Sequence, residues 1–360
     1  MMRWGILFAG IGGVEWGLEA AGHQPIWAVE MDPIAAEYHR RNHPNTQMIA
    51  SDVQQVDVCE LPNIDALHAS PPCQGHSRAR SKGLSVREDV WVGRDILRYA
   101  RELAPRLITV ENVPQYARHA VFREIVAGLD TLGYHVEWRV LNCADYGIAQ
   151  TRERLIVQAR RDGQIAWPVK AKRRVGWYEV IQDILPAPDR PLAPWQASRW
   201  NAAYNQMRPV YVDWQFAAAR TPGHQKTMMT IRQEHEPSAT ITAHSNRQEV
   251  VYPVLLDGQL VFNDVQRLHV IEQRDPAPTI MASAHSVNYI VYPDAGPMRA
   301  RLNARCSARL QTIPDAAILP ETQSQAIRLI GNAVPPLLMQ RIVEASATVW
   351  QGSLFHQEAA

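Results

Sequence analysis

Cys73 stands in the run Ala69-Ser70-Pro71-Pro72-Cys73-Gln74-Gly75-His76-Ser77, directly after a strand-like apolar stretch over residues 64–69. The two prolines cannot continue a sheet, and they fix the chain direction where the thiol is presented. Ligands of an open α/β sheet bind at the carboxyl ends of its strands, and a thiolate placed there can act as a nucleophile. A lone Cys is more often a small buried residue, so the assignment depends on what else reaches that edge. A second apolar run, residues 106–110, ends in Glu111-Asn112-Val113-Pro114 and brings an acid to the same edge. Taken alone, Glu111 also reads as a helix-capping carboxylate. Arg152 and Arg154, in Gln150-Thr151-Arg152-Glu153-Arg154, stand two apart at the start of a strand and so share a face. An exposed salt-bridge face is the alternative for them.

The elements that must position these groups begin at the N-terminus. Residues 4–9 form a short apolar strand that runs into Gly10-Ile11-Gly12-Gly13, followed by an amphipathic helical stretch over 14–21 that closes at Gly22. Strand, glycine-rich turn and helix are the first unit of a doubly wound fold, in which the glycines let backbone approach a cofactor. The spacing is not G-x-G-x-x-G, which weakens a nicotinamide or flavin reading. A second strand over 25–29 ends on Glu30, an acid suited to a ribose hydroxyl pair or, equally, to the N-terminus of the helix opened by Met31-Asp32-Pro33. A third strand over 48–50 ends in Ser51-Asp52, where an acceptor could meet an adenine amino group. After Cys73 comes a polar loop, 74–90, of a length that is usually functional. Helices over 91–103 and 122–132 and strands over 134–141 and 154–159 follow.

From residue 165 Pro and Trp become frequent and helical periodicity weakens. Glu236-Pro237-Ser238-Ala239-Thr240-Ile241-Thr242-Ala243 resembles Asp275-Pro276-Ala277-Pro278-Thr279-Ile280-Met281-Ala282, and each leads to a Val-Tyr-Pro. We read a small β-rich domain with an internal duplication, too short for a solenoid. Helical pattern returns over 303–311; a turn at Gly331-Asn332-Ala333-Val334-Pro335-Pro336 precedes a helix over 337–347, and 351–360 reads as a frayed tail.

With 360 residues, 46% hydrophobic and 20% charged, the chain is of soluble globular class with a sizeable core. Its four cysteines show no C-x-x-C pair, which argues against a zinc site and a disulfide framework and favours a reducing, cytoplasmic compartment. No run is apolar and long enough to span a bilayer, so no membrane partner is expected. The net charge is only +1, but residues 150–232 hold 14 Arg and Lys against 6 Asp and Glu. That local excess is what a nucleic-acid partner would require, although a solvated basic face has the same composition.

Together these residues resemble the DNA cytosine-C5 methyltransferase family, over nearly the whole chain except its middle and in family order. Leu7-Phe8-Ala9-Gly10-Ile11-Gly12-Gly13 matches the first motif, Pro71-Pro72-Cys73-Gln74 the nucleophile motif, Glu111-Asn112-Val113 the acid motif and Gln150-Thr151-Arg152-Glu153-Arg154 the Gln-x-Arg-x-Arg motif. Arg301-Leu302 to Arg309-Leu310-Gln311 with Pro314-Asp315 is similar to the ninth motif, and residues 331–336 match the tenth. Three positions depart: Ile6 where the family has Asp, His76 where it has an aromatic residue, and Thr312-Ile313 where Gly-Phe is common.

The resemblance implies a doubly wound, Rossmann-like α/β methyltransferase domain with a smaller β-rich target recognition domain. It divides the chain into a catalytic domain at 1–165, a recognition domain at 166–292, a hinge and ninth-motif segment at 293–330, a segment at 331–350 that returns to the catalytic domain, and a tail at 351–360. It implies S-adenosylmethionine as cofactor, with S-adenosylhomocysteine as product, held by Phe8, Ala9, Gly10, Gly12, Gly13, Glu30, Met31, Asp52, Pro72, Asn332 and Ala333. It implies Cys73 as the nucleophile on cytosine C6, Glu111 at the N3 side, Arg152 at O2 and around the thiolate, and Arg154 supporting loop and phosphate. Because C6 is out of reach inside a stacked duplex, the base must be flipped, and the 74–90 loop is the natural lid. Double-stranded DNA is then the partner, met by Gln74, Ser77, Arg78, Arg80, Lys82, Arg173, Arg174, Arg199 and Arg220, with no metal and a monomeric enzyme. A bacterial or phage-protection setting with a cognate restriction endonuclease fits the same resemblance. Two rivals stay open: a relative acting on tRNA, which carries the same nucleophile and acid motifs, and a non-catalytic DNA-holding homologue, which the intact Cys73, Glu111, Arg152 and Arg154 oppose.

Overall fold

The computed structural model describes residues 1–72, 92–187, 190–191, 210–217, 226–229, 247–248, 269–271, 276–278, 289–292 and 298–357. The strands of its main sheet are β1 (Arg3–Leu7), β2 (Gln24–Val29), β3 (Gln47–Ile49), β4 (Ala66–Ala69), β5 (Leu107–Asn112), β6 (His135–Asn142) and, after the two-residue β7 (Gln150–Thr151), β8 (Glu153–Arg160). Their order is β3-β2-β1-β4-β5-β8-β6. All run parallel except β8, which is antiparallel to both β5 and β6. The order reverses between β1 and β4, so the carboxyl ends of these two strands open the crevice where ligands of such sheets bind. The glycine turn follows β1 and Pro71-Pro72 follows β4, which sets both motifs at that crevice.

Helices α1 (Gly13–Ala20), α2 (Pro33–Asn42), α3 (Asp95–Leu103) and α4 (Ala120–Thr131) cover the sheet. Its central strands β4 and β5 are buried along their whole length, as expected of parallel strands covered on both faces. Alternate residues feed two cores: Leu7, Trp27, Leu67, Ile108 and Val110 pack on Tyr99, Tyr116 and Phe122, while Trp4, Ile6, Ala28 and Ala66 pack on Val14, Leu18, Met339 and Val343. The last two come from α8, so the C-terminal helix packs against the main sheet.

The remaining helices are α5 (Trp177–Ile181), α6 (Ala304–Leu310), α7 (Gln323–Asn332) and α8 (Pro336–Gln357). Three differ from the sequence reading. Helix α7 was not expected, because its turn signal, Gly331-Asn332, lies inside the helix as its last turn. Helix α5 is too short to show periodicity. Helix α8 runs on to Gln357, through part of the expected tail; no proline interrupts that stretch. Strand β5 extends through Glu111 and Asn112, which the sequence reading placed beyond its tip.

In the middle of the chain, β9 (Arg190–Pro191), β10 (Val210–Ala217), β11 (Lys226–Met229), β12 (Arg247–Gln248), β13 (His269–Ile271), β15 (Tyr289–Tyr292) and β16 (Met298–Arg301) form a second, antiparallel sheet with β10 at its hub. β14 (Ala277–Pro278) instead pairs parallel with β7. The second copy of the duplicated segment supplies β14 and leads to β15; most of the first copy lies outside the described residues. Among the described residues no helix is long and apolar enough to cross a membrane.

Candidate active site

The turn after β1 is built on backbone that only special residues adopt. Phe8, Gly10 and Gly12 have φ of 59°, 58° and 99°. A Cβ on Gly10 would meet nothing within 4 Å, so its backbone faces open space of the kind a ligand fills. Glu30, at the end of β2, fixes the turn: its Oε2 accepts from Gly10 N at 2.9 Å and its Oε1 from Asp32 N at 2.8 Å. Burial raises the Glu30 carboxyl above the usual range, and the two backbone N–H groups only partly oppose this. Asp52 sits half-buried after β3, with Oδ1 accepting from Gln54 N at 3.0 Å. Met31 is 56% exposed beside Glu30.

The tenth-motif segment closes on this turn. A Cβ on Gly13 would lie 2.3 Å from Val334 O and 3.2 Å from Ala333 Cβ; one on Gly17 would lie 2.4 Å from Pro336 O. Two glycines on one face of α1 thus let the segment after α7 dock backbone to backbone, bringing Ala333 beside the turn although it lies far along the chain. Asn332 ends α7 on the exposed side.

On the other side of the crevice, Asn112 Nδ2 donates to Pro71 O at 2.9 Å, tying β5 to the residues just before Cys73. Glu111 Oε1 lies 2.7 Å from Arg154 Nε, with the two side chains 9% and 11% exposed. Arg152 turns elsewhere: its Nη2 donates to Gly331 O at 2.8 Å and to Ala333 O at 3.3 Å, and its side chain is fully buried. Burial, and then repulsion from Arg154, pulls its guanidinium down to about 9. The two arginines therefore do not share a face. Arg152 lies in the break between β7 and β8, where strand alternation does not apply. Cys143, beside them, is a closed thiol that burial pushes up to about 11, and Cys306 is pushed up to about 12. Neither has the thiolate character of a nucleophile.

Of the supporting residues, His68 carries no sequence signal, while Arg309, Gln311, Thr312 and Asp315 are read from sequence only as positions at the ninth motif. His68, buried on β4, shares its Nδ1 with Thr109 Oγ1 at 2.8 Å and its Nε2 with Ser70 Oγ at 2.9 Å, and burial lowers it to about 4. Gln311 Nε2 donates to Ala333 O at 2.8 Å and to Ile330 O, while its Oε1 accepts from Gln150 Nε2 at 3.4 Å. Thr312 explains one departure from the family pattern. It sits at φ 63°, where glycine is easiest, and its Oγ1 accepts from Leu337 N at 3.1 Å at the start of α8. Arg309 grips Asp315 and Asp183 with two N···O contacts to each, between 2.6 and 2.7 Å.

Of the expected DNA contacts, Arg173 pairs with Glu179 through two bonds of 2.8 Å, and Arg174 with Asp145 at 2.6 Å. Cys73, Gln74, Ser77, Arg78, Arg80, Lys82, Arg199 and Arg220 lie outside the described residues.

Comparison with known proteins agrees with this arrangement. The family signature of the C-5 cytosine-specific DNA methylases matches residues 2–347. The chain is 28% identical over 362 residues to the Type II methyltransferase M.XorII of Xanthomonas oryzae pv. oryzae, covering 93% of this chain and 82% of that one. It is 25% identical over 351 residues to the Type II methyltransferase M1.HphI of Haemophilus parahaemolyticus, covering 94% and 85%. Among solved structures it shares the fold of the S. pombe Dnmt2 methyltransferase, with TM-score 0.62, 16% identity and coverage of 96% and 98%. The Entamoeba histolytica methyltransferase EhMeth superposes with TM-score 0.55, 14% identity and coverage of 96% and 97%. With nearly the whole chain matched and the motifs on one sheet edge, this protein belongs to the C-5 cytosine-specific DNA methylase family and is a DNA cytosine-C5 methyltransferase.

Proposed function

We propose that the protein methylates a flipped cytosine in a specific duplex DNA site, in a Type II modification setting like that of its relatives, using Cys73 as nucleophile and S-adenosylmethionine as donor. The observation that carries the reading is the crevice itself: Asn112 holds Pro71 O at 2.9 Å, and Glu111 stands one residue earlier on the same strand, paired to Arg154. Pro71, two residues before Cys73 in the chain, and Glu111 thus stand at the ends of adjacent strands on one edge.

The chemistry needs both. Cytosine C5 is a poor carbon nucleophile. Addition of the Cys73 thiolate to C6 makes C5 enamine-like, and Glu111 assists by giving or sharing a proton at N3. Arg154, placed on Glu111, is better set than Arg152 to face the base alongside the acid. Arg152 keeps the tenth-motif backbone in place. This reverses the division of labour the motif order suggests. Loss of the C5 proton then expels Cys73 and restores the ring. The bound cofactor supplies an electrophilic methyl group on a sulfonium. Gly10 with its open face, Glu30, Asp52 and the Ala333 segment are the residues that would hold it, and Phe8, Ala9, Gly12, Gly13, Met31, Pro72 and Asn332 complete the expected set.

The antiparallel strands of the middle segment would form a recognition domain that reads base edges in the major groove, with most basic residues meeting phosphate. Arg173 and Arg174 would have to leave Glu179 and Asp145 to do so. The test is transfer of a radiolabelled methyl group to duplex DNA, duplex RNA and tRNA, repeated with a fluorinated cytosine in the target. Fluorine blocks proton loss at C5, so an adduct should accumulate on Cys73. Mass spectrometry that finds it on another residue, or transfer to tRNA alone, overturns the proposal.

A further inference from the structure

Beneath the glycine turn lies a buried polar cluster that the chemistry above does not use. Glu15 on α1 meets His39 on α2 at 2.7 Å, Oε1 to Nε2, with both side chains excluded from solvent. Glu15 Oε2, His39 Nδ1 and His43 Nε2 have no hydrogen-bond partner among the described residues. Native interiors rarely leave such atoms unpaired, and three together call for a reason. His43 follows α2 as its C-cap and is held on several sides. Its Nδ1 lies 3.3 Å from Glu19 Oε1, and its ring centroid is 4.8 Å from that of Trp16 and 5.0 Å from that of His39. Its remaining edge presses on the turn. A Cβ on Gly12 would lie 2.1 Å from His43 Nε2 and 2.2 Å from Cδ2. Gly12 is the N-cap of α1 and carries the largest left-handed φ of the turn, 99°.

We propose that His43 is a positioning residue for the methyl-donor site: its flat ring is a wedge against which the 10–13 turn is set, and the Glu15–His39 pair locks α2, and with it the wedge, to α1. The proposal rests on the reading of that turn as the S-adenosylmethionine site. Ring shape rather than the Nε2 nitrogen does the work, because that nitrogen has no hydrogen-bond partner among the described residues. A histidine that merely filled the core would affect stability and leave cofactor affinity alone.

The experiment compares the full-length wild type with His43→Ala, His43→Leu and His43→Phe, by calorimetry with S-adenosylmethionine and by steady-state kinetics on duplex DNA. Wild type is measured first. If it does not bind the cofactor, the site reading fails before His43 is at issue, and this proposal falls with it. Given wild-type binding, His43→Ala should raise Kd and KM for the cofactor about tenfold, the scale of misaligning one good hydrogen bond, with KM for DNA unchanged. His43→Leu, similar in bulk but not flat, should show the same loss and covers the case in which the alanine variant fails to fold. His43→Phe keeps a flat ring while removing the orphaned Nε2 and the Nδ1 contact to the exposed Glu19 carboxylate, so its cofactor affinity should stay at the wild-type level. Unchanged affinity in His43→Leu, or a loss in His43→Phe as large as in His43→Leu, overturns the proposal.

Discussion

Removing either member of the Glu111–Arg154 pair should cost folding and turnover together, and the two costs should be coupled. The contact is 2.7 Å between side chains about nine-tenths buried. At an effective dielectric of about 20 and a charge separation of about 4 Å, the gross attraction is about 4 kcal/mol. Desolvation of both groups returns most of that, so the intact pair contributes little net stability. A variant that loses one partner is different, because the other charge stays enclosed. Glu111→Gln and Arg154→Gln should each cost about 3 kcal/mol, the lower end for a buried pair since some exposure remains. The double variant should also cost about 3 kcal/mol, giving a coupling energy of similar size. Urea unfolding of the four proteins measures this cycle. Single-turnover methyl transfer on the same set should show both single variants slowed by at least about a hundredfold, the usual worth of a positioned general acid. Additive effects, or single costs below about 1 kcal/mol, would mean that the two side chains are independently solvated and that Arg154 has no part in placing the acid.

Glu30→Ala should weaken S-adenosylmethionine binding by about 1.5–3 kcal/mol, more than it weakens DNA binding, because it frees Gly10 N and removes a charged acceptor; calorimetry reads this. The same residue predicts a pH effect. Its carboxyl is raised by burial, so its contribution to apo stability is full below the ordinary Glu range and is lost as pH rises through the raised value. Glu30→Ala should remove that slope in denaturation measured across the window. Thr312→Val keeps the left-handed strain and discards the bond to Leu337 N, so it should destabilise by about 1–2 kcal/mol in urea. Thr312→Gly trades strain for backbone entropy and should stay within about 1 kcal/mol of wild type. Replacing residues 166–292 with the matching segment of a relative should transfer sequence preference. A folded, active chimera that still methylates the original site would place specificity elsewhere, in the 74–90 loop for instance.

The seven strands of the main sheet were legible because each is short, largely apolar and ended by a turn residue or an acid, whereas the two-residue β7 and the sheet order were not read. The crevice was legible for the same reason: Gly10, Pro71, Glu111 and Glu30 all stand at strand ends, where sequence punctuation is strongest. What failed was anything that depends on contacts between segments far apart in the chain. The strand-alternation rule set Arg152 and Arg154 side by side. Arg152 sits in a one-residue break, and its partners, Gly331 O and Ala333 O, lie 179 and 181 residues away. His68 sits in an apolar strand with no outward sign that Thr109 and Ser70 will satisfy both ring nitrogens. Thr312 looked like a weak match to the ninth motif, and only its backbone angle shows how a threonine serves at that position.

These distant contacts also bear on how an exchange of residues 166–292 could leave the crevice intact. The chain leaves the main sheet after β8 and comes back through α6 to α8, and groups outside residues 166–292 help fasten the return at the glycine turn and the tenth-motif segment. Arg152 holds the carbonyls of Gly331 and Ala333. Gln311 holds Ala333 and Ile330 from the other side and meets Gln150. Gly13 and Gly17 let Val334 and Pro336 lie against α1. None of these groups belongs to residues 166–292. The middle segment also touches this frame through β14, whose Ala277 and Pro278 pair with Gln150 and Thr151, immediately before Arg152. Residues 166–187 are tied to the same frame as well: Arg174 holds Asp145 at 2.6 Å, Trp167 Nε1 donates to Glu137 Oε2 at 2.8 Å, and Asp183 holds Arg309 at 2.6 Å. A foreign middle segment therefore has to keep these contacts and also supply a strand that leaves Gln150 and Arg152 free to hold the tenth-motif backbone.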